Sequence, residues 1–176
     1  DRERFQKMID TCLRGKEIVQ QLLSFSRKNG ETPQPMTINP IVKETVKFLR
    51  SSIPADIEID IQVPGDYHWI MADSTQIHQV LLHLCTNAAQ AMENGGGLLT
   101  VRVDRLEMGQ KAADLAPDLR PGPYVRLTVE DSGPGIAPEL LGRIFDPYFT
   151  TREVGKGSGM GLAVVHGIVK KCGGAV

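Results

Sequence analysis

The stretch "VRLTVEDSGPGIAPE", residues 125–139, joins an alternating apolar segment to a turn with two glycines and two prolines. The alternation over residues 125–130 predicts a strand, and the glycines and prolines predict a sharp turn after it. Asp131 ends the strand. Its carboxylate could stabilise the turn, or it could accept a hydrogen bond from an amine on a flat ring, for which Gly133 and Gly135 leave room. The stretch alone allows both interpretations, and the turn is the simpler one.

The composition is that of a globular domain, with 176 residues of which 41% are hydrophobic and 23% charged. A formal net charge of −1 gives no reason to expect nucleic acid or an anionic membrane as the main partner. Three widely spaced cysteines without a CxxC motif disfavour a disulfide framework and a zinc site, and favour the cytoplasm. No apolar run approaches the roughly 18 residues of a membrane span. The chain opens in a helical pattern and stops on "GGAV", where a strand would begin, so we expect a piece of a longer protein, which could itself be membrane-anchored.

Residues 1–28 predict one helix with a wide apolar stripe, formed at heptad-like spacing by Phe5, Met8, Cys12, Val19 and Leu22. A lone helix cannot bury such a stripe, and its width is typical of a helical bundle. The partner helix would come from another segment or from a second chain, which predicts a homodimer. The alternative is that the helix packs on its own domain.

The rest of the chain mixes strands and helices in an irregular order. "PMTI" is predicted to be a short extended stretch within a linker. Strands are predicted at "IEIDIQV", "YHWIMAD", "LLTVRVDRL" and "YVRLTVED", the last two antiparallel and joined by a surface loop over residues 107–122. Helices are predicted at "PIVKETVKFLRSS", capped by Asn39, at "STQIHQVLLHLCTNAAQAM", capped by Ser74, at "PELLGRIF" and at "GLAVVHGIVKKCGG". This pattern favours an α+β fold, with helices on one face of a mainly antiparallel sheet.

Two further segments could carry chemistry. In "GKGSGMG", residues 155–161, alternate glycines precede a helix, whose free N–H groups could bind phosphate. Asn87 lies on a helix among small residues, and its amide oxygen is a suitable ligand for Mg²⁺ bound together with nucleotide phosphates. A glycine-rich loop alone is weak evidence for phosphate binding, and the simpler interpretation of Asn87 is an asparagine bonded to a nearby backbone carbonyl.

Together, four segments in this order resemble the ATP-binding domain of sensor histidine kinases, in the wider family that includes gyrase, Hsp90 and MutL. "HQVLLHLCTNAAQAM" resembles its N box, "DSGPGIAP" its G1 box, "IFDPYFTT" its F box and "GKGSGMGL" its G2 box. The resemblance covers about residues 32–176. It implies a two-layer α/β sandwich with a mixed, mainly antiparallel sheet, the Bergerat-type ATP-binding fold, over residues 31–176. "RGKEIVQQLLSFSRK" is similar to the second helix of the dimerisation and phosphotransfer hairpin, which would occupy residues 1–30.

The resemblance implies ATP and Mg²⁺ as ligands and assigns roles to individual residues. Asn87 would hold Mg²⁺ between the ATP phosphates, and Asp131 would bind the adenine amino group in a pocket shaped by Gly133 and Gly135. The remaining predicted contacts to ATP or its lid are Phe145, Phe149, Arg152, Lys156, Gly157, Gly159, Gly161 and Leu162. Arg143 is a further cation close enough in sequence to meet phosphate charge.

The implied reaction transfers the ATP γ-phosphoryl group to a histidine on a hairpin helix, from which it passes to the receiver domain of a response regulator. None of the four histidines here is followed by Asp or Glu, as the family's acceptor is, so we expect the acceptor to lie outside this chain. The N box carries His83 where the family usually has a second asparagine. The alternative function is a degenerate, non-catalytic nucleotide-binding or dimerisation module. An ATPase of the gyrase or Hsp90 branch is disfavoured by the N-terminal helix and by "DPYFTT".

Overall fold

The computed structural model describes residues 32–65, 68–93, 95–110, 119–152 and 157–176. Two compact units divide the chain, Asp1–Thr32 and Pro33–Val176, and the description below concerns the second. The helix predicted over residues 1–28 lies outside the described residues and stays a prediction.

The described part contains five strands and three α-helices in an irregular order. In chain order they are β1 (Gln34–Thr37), α1 (Ile38–Leu49), β2 (Ile57–Gln62), β3 (Trp69–Ala72), α2 (Ser74–Ala91), β4 (Gly97–Met108), β5 (Gly122–Asp131) and α3 (Gly161–Lys171), with a short 3₁₀ turn at Pro138–Leu140 before α3. Among the described residues, no helix combines the length and the apolarity that crossing a bilayer requires.

The strands form two small sheets. β1 pairs antiparallel with β3, while β4 is the centre of a three-stranded sheet, parallel to β2 and antiparallel to β5. Two of the three strand pairings are therefore antiparallel, which confirms the predicted α+β class with a mixed, mainly antiparallel sheet. The register of β4 and β5 sets Leu99 opposite Asp131, at the end of β5 where the turn begins.

The hydrophobic core lies between one face of the three-stranded sheet and the helices. Alternate residues of β4, namely Leu99, Val101 and Val103, are fully buried, because successive side chains of a strand point to opposite faces. Val42 of α1 and Leu81 of α2 are equally buried in the same core. The sequence pattern of β4 thus predicts correctly that helices cover one face of the sheet.

The other face of this sheet carries charged side chains in pairs across the strands. Arg126 contacts Asp104 at 3.0 Å, and Arg102 contacts Glu130 at 3.8 Å. Exposed ion pairs of this kind contribute little to stability. Their alternating signs are typical of a solvated surface.

The second helix, α2, packs against several of the other elements. It contacts α1, β4, β5 and α3, and its Val80 packs with Val165 and Ile168 of α3 in a second apolar cluster. The first turn of α3 is thereby held beside the middle of α2.

The start of α1 differs from the prediction that Asn39 caps it. The helix begins at Ile38, and Thr37 occupies the N-cap position. The Asn39 amide instead donates to the Pro64 carbonyl at 2.9 Å, and its oxygen lies 3.2 Å from Nδ1 of His68. These distant partners, rather than the helix end, explain the buried asparagine.

The start of α2 differs by one residue from the predicted cap. Asp73, not Ser74, is the N-cap, and its Oδ1 accepts a hydrogen bond from the Thr75 N–H at 2.8 Å. Aspartate and serine cap helices about equally well, so the sequence did not distinguish the two neighbours.

Two other predicted segments are shorter than expected. The helix predicted at "PELLGRIF" is a single 3₁₀ turn at Pro138–Leu140 followed by turns. The loop predicted over residues 107–122 is reduced at both ends, because β4 extends to Met108 and β5 begins at Gly122.

Candidate functional site

One face of α2 meets the N-terminus of α3. His83 and Asn87 are one turn apart on α2 and share this face. A Cβ atom on Gly161, the first residue of α3, would lie 3.3 Å from Nδ1 of His83 and 3.7 Å from Nδ2 of Asn87. Glycine at this position lets the helix end approach α2 closely and leaves open the space that a side chain would occupy.

The Asn87 amide is half-buried and forms no hydrogen bond with another described residue. The simpler interpretation of Asn87, an amide bonded to a nearby backbone carbonyl, is therefore not what the described residues show. A half-buried amide normally has a hydrogen-bond partner. Because no described residue provides one for Asn87, its amide is available to a ligand.

His83, the second polar residue on this face, is largely buried. Burial lowers the pKa of its imidazole below the usual value, because the charged form loses its hydration. His83 is therefore neutral near pH 7, and can offer one nitrogen as donor and the other as acceptor.

The N-terminus of α3 has backbone donors that no other described residue satisfies. Met160 is its N-cap and provides no side-chain hydrogen bond to the first turn, so the N–H groups there lack intrahelical acceptors. Leu162 follows Gly161 in this turn and is half-buried. Free N–H groups together with the helix dipole favour an anion at this position.

The turn after β5 uses the Asp131 carboxylate for its own structure. Oδ1 accepts a hydrogen bond from the Gly133 N–H at 2.9 Å. A Cβ on Gly133 would lie 2.7 Å from that oxygen and 3.1 Å from the Cβ of Ala91, so a side chain here would crowd both the carboxylate and the last turn of α2. Gly135 has a φ of 74° with open space around it. Oδ2 of Asp131 has no partner among the described residues and can accept a further hydrogen bond.

Ser132 fixes this turn and was not predicted from the sequence. Its hydroxyl accepts from the Leu98 N–H at 2.9 Å and donates to the Met92 sulfur at 3.4 Å, while its own N–H donates to the Leu98 carbonyl at 3.1 Å. The turn is thereby joined to β4 and to the end of α2. The sequence carries no local signal for these bonds, because the partners are more than thirty residues away.

Two aromatic residues after the 3₁₀ turn have well-defined contacts. The Phe145 ring stacks on His166 of α3, with 5.2 Å between centroids. The Arg143 guanidinium lies over the Phe149 ring at 4.6 Å and within 3.8 Å of Asp146. Arg143 thus supports the aromatic residues, whereas its predicted contact with phosphate charge stays a prediction.

The two ends of the glycine-containing segment touch each other. Gly159 has a φ of 65°, and a Cβ there would lie 2.4 Å from the Tyr148 carbonyl carbon and 2.8 Å from the Phe149 oxygen. Tyr148 itself has a φ of 67°, which is rare for a residue with a side chain. The backbone at Gly159 therefore packs directly against Tyr148 and Phe149.

Replacing Gly159 by alanine is expected to lower the free energy of unfolding by about 2 kcal/mol, because the left-handed backbone and the contact with Tyr148 both disfavour a Cβ. Gly167 is the matched control, since it lies in α3 with open space around it; alanine there should raise the free energy of unfolding by about 0.5–1 kcal/mol. Urea unfolding measures both. If the Gly159 variant were as stable as the parent, the two ends of the loop would not be in contact.

Arg152 connects this loop to α2. Its Nη1 donates to Oε1 of Gln90, and its backbone N–H donates to the Thr150 hydroxyl at 3.2 Å. A Cβ on Gly157 would lie 3.2 Å from the same hydroxyl and 3.4 Å from Cδ of Arg152. Gln90 was not predicted, and its role depends on a residue 62 positions away. Lys156 lies outside the described residues, so its predicted role stays a prediction.

The family described as "Histidine kinase-, DNA gyrase B-, and HSP90-like ATPase" matches residues 72–176. The sensor kinase CckA of Brucella abortus (strain 2308) is 37% identical over 163 residues, which are 93% of this chain and 17% of CckA. Among solved structures, the mycobacterial sensor histidine kinase MprB has a TM-score of 0.63 and 26% identity, with 80% of each chain covered. The histidine kinase ThkA, solved in complex with the response regulator protein TrrA, has a TM-score of 0.63 and 25% identity over 94% of this chain and 43% of that one.

These similarities cover both the fold and the segments that form the site. The chain spans about a sixth to a third of the length of the curated sensor kinases that it matches. The match over residues 72–176 begins just before α2 and includes the turn after β5, the loop with Arg152 and the whole of α3. The chain therefore belongs to the family of histidine kinase-, DNA gyrase B- and HSP90-like ATPases, as the ATP-binding catalytic domain of a histidine kinase.

Proposed function

We propose that this domain binds ATP along α2 and transfers its γ-phosphoryl group to a histidine nitrogen on a hairpin helix. The observation that carries the proposal is that two different features meet α2 a single turn apart. The Asp131 turn touches Ala91, and the N-terminus of α3 approaches Asn87 and His83. A carboxylate acceptor and a cluster of free N–H groups suit the two ends of an adenine nucleotide.

At the adenine end, Oδ2 of Asp131 accepts a hydrogen bond from the exocyclic amine, while Oδ1 keeps its bond to the Gly133 N–H. Gly133 and Gly135 leave room for the ring. At the phosphate end, the first turn of α3 binds the phosphates, together with the loop glycines Gly157 and Gly159. Arg152 and Lys156 contribute positive charge.

Asn87 is the residue that would hold Mg²⁺. Its amide forms no hydrogen bond with another described residue, and Gly161 leaves space beside it. Within the described residues, no group of three or more His, Cys, Asp or Glu could hold a metal alone, which fits an ion bound jointly by one amide oxygen and the nucleotide. Mg²⁺, when bound, neutralises phosphate charge.

The acceptor histidine comes from another segment of the full protein. Three of the four histidines here already have a side-chain partner: His68 with Asn39, His78 with Thr45, and His166 with Phe145. The fourth, His83, lies against Gly161. This domain supplies positioning and charge stabilisation, which is the protein's main task in phosphoryl transfer.

The wider partners follow from the same proposal. The phosphoryl group passes from histidine to the receiver domain of a response regulator, and the ThkA complex with TrrA supports a partner of this class. The apolar stripe of residues 1–28 would pair with a second copy in a homodimer. A cytoplasmic location is supported by the free thiols of Cys85 and Cys172 in the described part, since a reducing compartment keeps thiols free.

Transfer in trans tests the proposal. The 176-residue chain is incubated with Mg²⁺, labelled ATP and a separate hairpin bearing the acceptor histidine of the full protein. We expect label on the hairpin that is lost in acid and kept in base, as phosphohistidine is, and none without the chain. ATP binding without transfer would indicate the non-catalytic module instead, and no ATP binding by the folded chain would refute the whole proposal.

A further inference from the structure

Gln90 and Arg152 form a side-chain pair at the edge of the proposed site. Gln90 lies on α2, one turn beyond Asn87, and Arg152 lies in the loop that follows Phe149. With His83, the residues on α2 have the spacing i, i+4 and i+7, so all three share one face of the helix. The pair therefore holds a guanidinium group on the face that meets the N-terminus of α3.

The Arg152 side chain is restrained by its bond to Gln90, and the backbone that carries it is held by the bond of its N–H to the Thr150 hydroxyl. A free arginine side chain has considerable rotamer entropy, which it loses on binding an anion. Restraint before binding reduces that loss.

The acceptor that restrains Arg152 is neutral. A carboxylate at position 90 would offset the positive charge, whereas the Gln90 amide accepts one N–H and leaves the charge intact. A guanidinium has five N–H donors, so most remain for a second acceptor. A phosphate oxygen is the acceptor whose geometry such a fork matches.

We propose that Gln90 is a positioning residue that holds the Arg152 guanidinium for the terminal phosphates of ATP. The inference rests on the proposed function and goes beyond it, because it assigns to Gln90 the discrimination of ATP from AMP. The base and the sugar are the same in the two nucleotides, so a group that acts only on the outer phosphates affects one ligand and spares the other.

Calorimetry on the 176-residue chain tests the pair with Mg·ATP and with AMP. Gln90→Leu keeps the size of the side chain and removes the acceptor, and Arg152→Ala removes the cation. We expect each to weaken ATP binding about fivefold and to leave AMP binding unchanged. The double variant should be no weaker than Arg152→Ala alone, because Gln90 acts through Arg152. Gln76→Leu, at the start of the same helix and roughly 20 Å away along its axis, is the matched control and should bind both ligands as the parent does.

Three results would overturn the inference: full ATP affinity in Gln90→Leu, equal losses for ATP and AMP, or additive losses in the double variant. Any of these, with the parent still binding ATP, leaves the proposed function standing and rejects only the role of Gln90. A parent chain that is folded but binds no nucleotide rejects the proposed function, and with it the role of Gln90.

Discussion

Replacing Asp131 by asparagine is expected to lower the affinity for ATP by about a hundredfold or more. Asparagine has the same shape, and its Oδ1 can still accept the hydrogen bond from Gly133 that shapes the turn. The change therefore acts on the other oxygen, which becomes an N–H donor that faces the adenine amine. Two donors meeting in a desolvated pocket lose a hydrogen bond and leave both groups unsatisfied.

Calorimetry with ATP measures this loss, and thermal unfolding verifies that the variant is folded. Asp104→Asn is the matched control, since Asp104 pairs with Arg126 on the outer face of the sheet, away from the turn. A purine nucleoside triphosphate without the exocyclic amine should bind the parent about as weakly as ATP binds the variant. Undiminished ATP affinity in Asp131→Asn would show that the carboxylate serves the turn alone.

Asn87→Ala is expected to weaken ATP binding about tenfold or more in Mg²⁺ and by less than about threefold in EDTA. The amide forms no hydrogen bond with another described residue, and alanine has a higher helix propensity than asparagine. The folded structure should therefore tolerate the change, and the loss should follow the metal.

Titrations of ATP with and without Mg²⁺ separate the two contributions, with Gln76→Ala as a control on the same helix. If Asn87→Ala lost the same affinity in EDTA as in Mg²⁺, the amide would contact the nucleotide directly. If it lost none in either condition, Asn87 would not be part of the site.

The sequence predicts best those features that depend on neighbouring residues. The alternation in β4 and β5 predicts two paired strands, and the glycines and proline after Asp131 predict the turn. The resemblance then adds an explanation for the free oxygen of Asp131, which the turn does not use. Both initial interpretations of that residue are compatible with the structure, because the carboxylate has two oxygens.

Features that depend on distant contacts were not predictable. Asn39 is a good helix cap by type, yet its amide bonds to Pro64 and His68, 25 and 29 residues away. Ser132 and Gln90 likewise have their decisive partners elsewhere in the chain. A local sequence pattern predicts the secondary structure of its own segment. The hydrogen-bond partner of a polar side chain depends instead on how distant segments pack together.

Because α2 is both a core helix and part of the proposed site, substitutions in the core could abolish the activity of the domain. The helix that carries Asn87 and Gln90 on one side buries Leu81 on another. A rigid helix cannot shift one face alone, so a cavity in the core would tilt or rotate the binding face as well. Functional defects are therefore expected from substitutions that never touch the nucleotide, and a search for inhibitors could exploit the same mechanical coupling from the inner side of this helix.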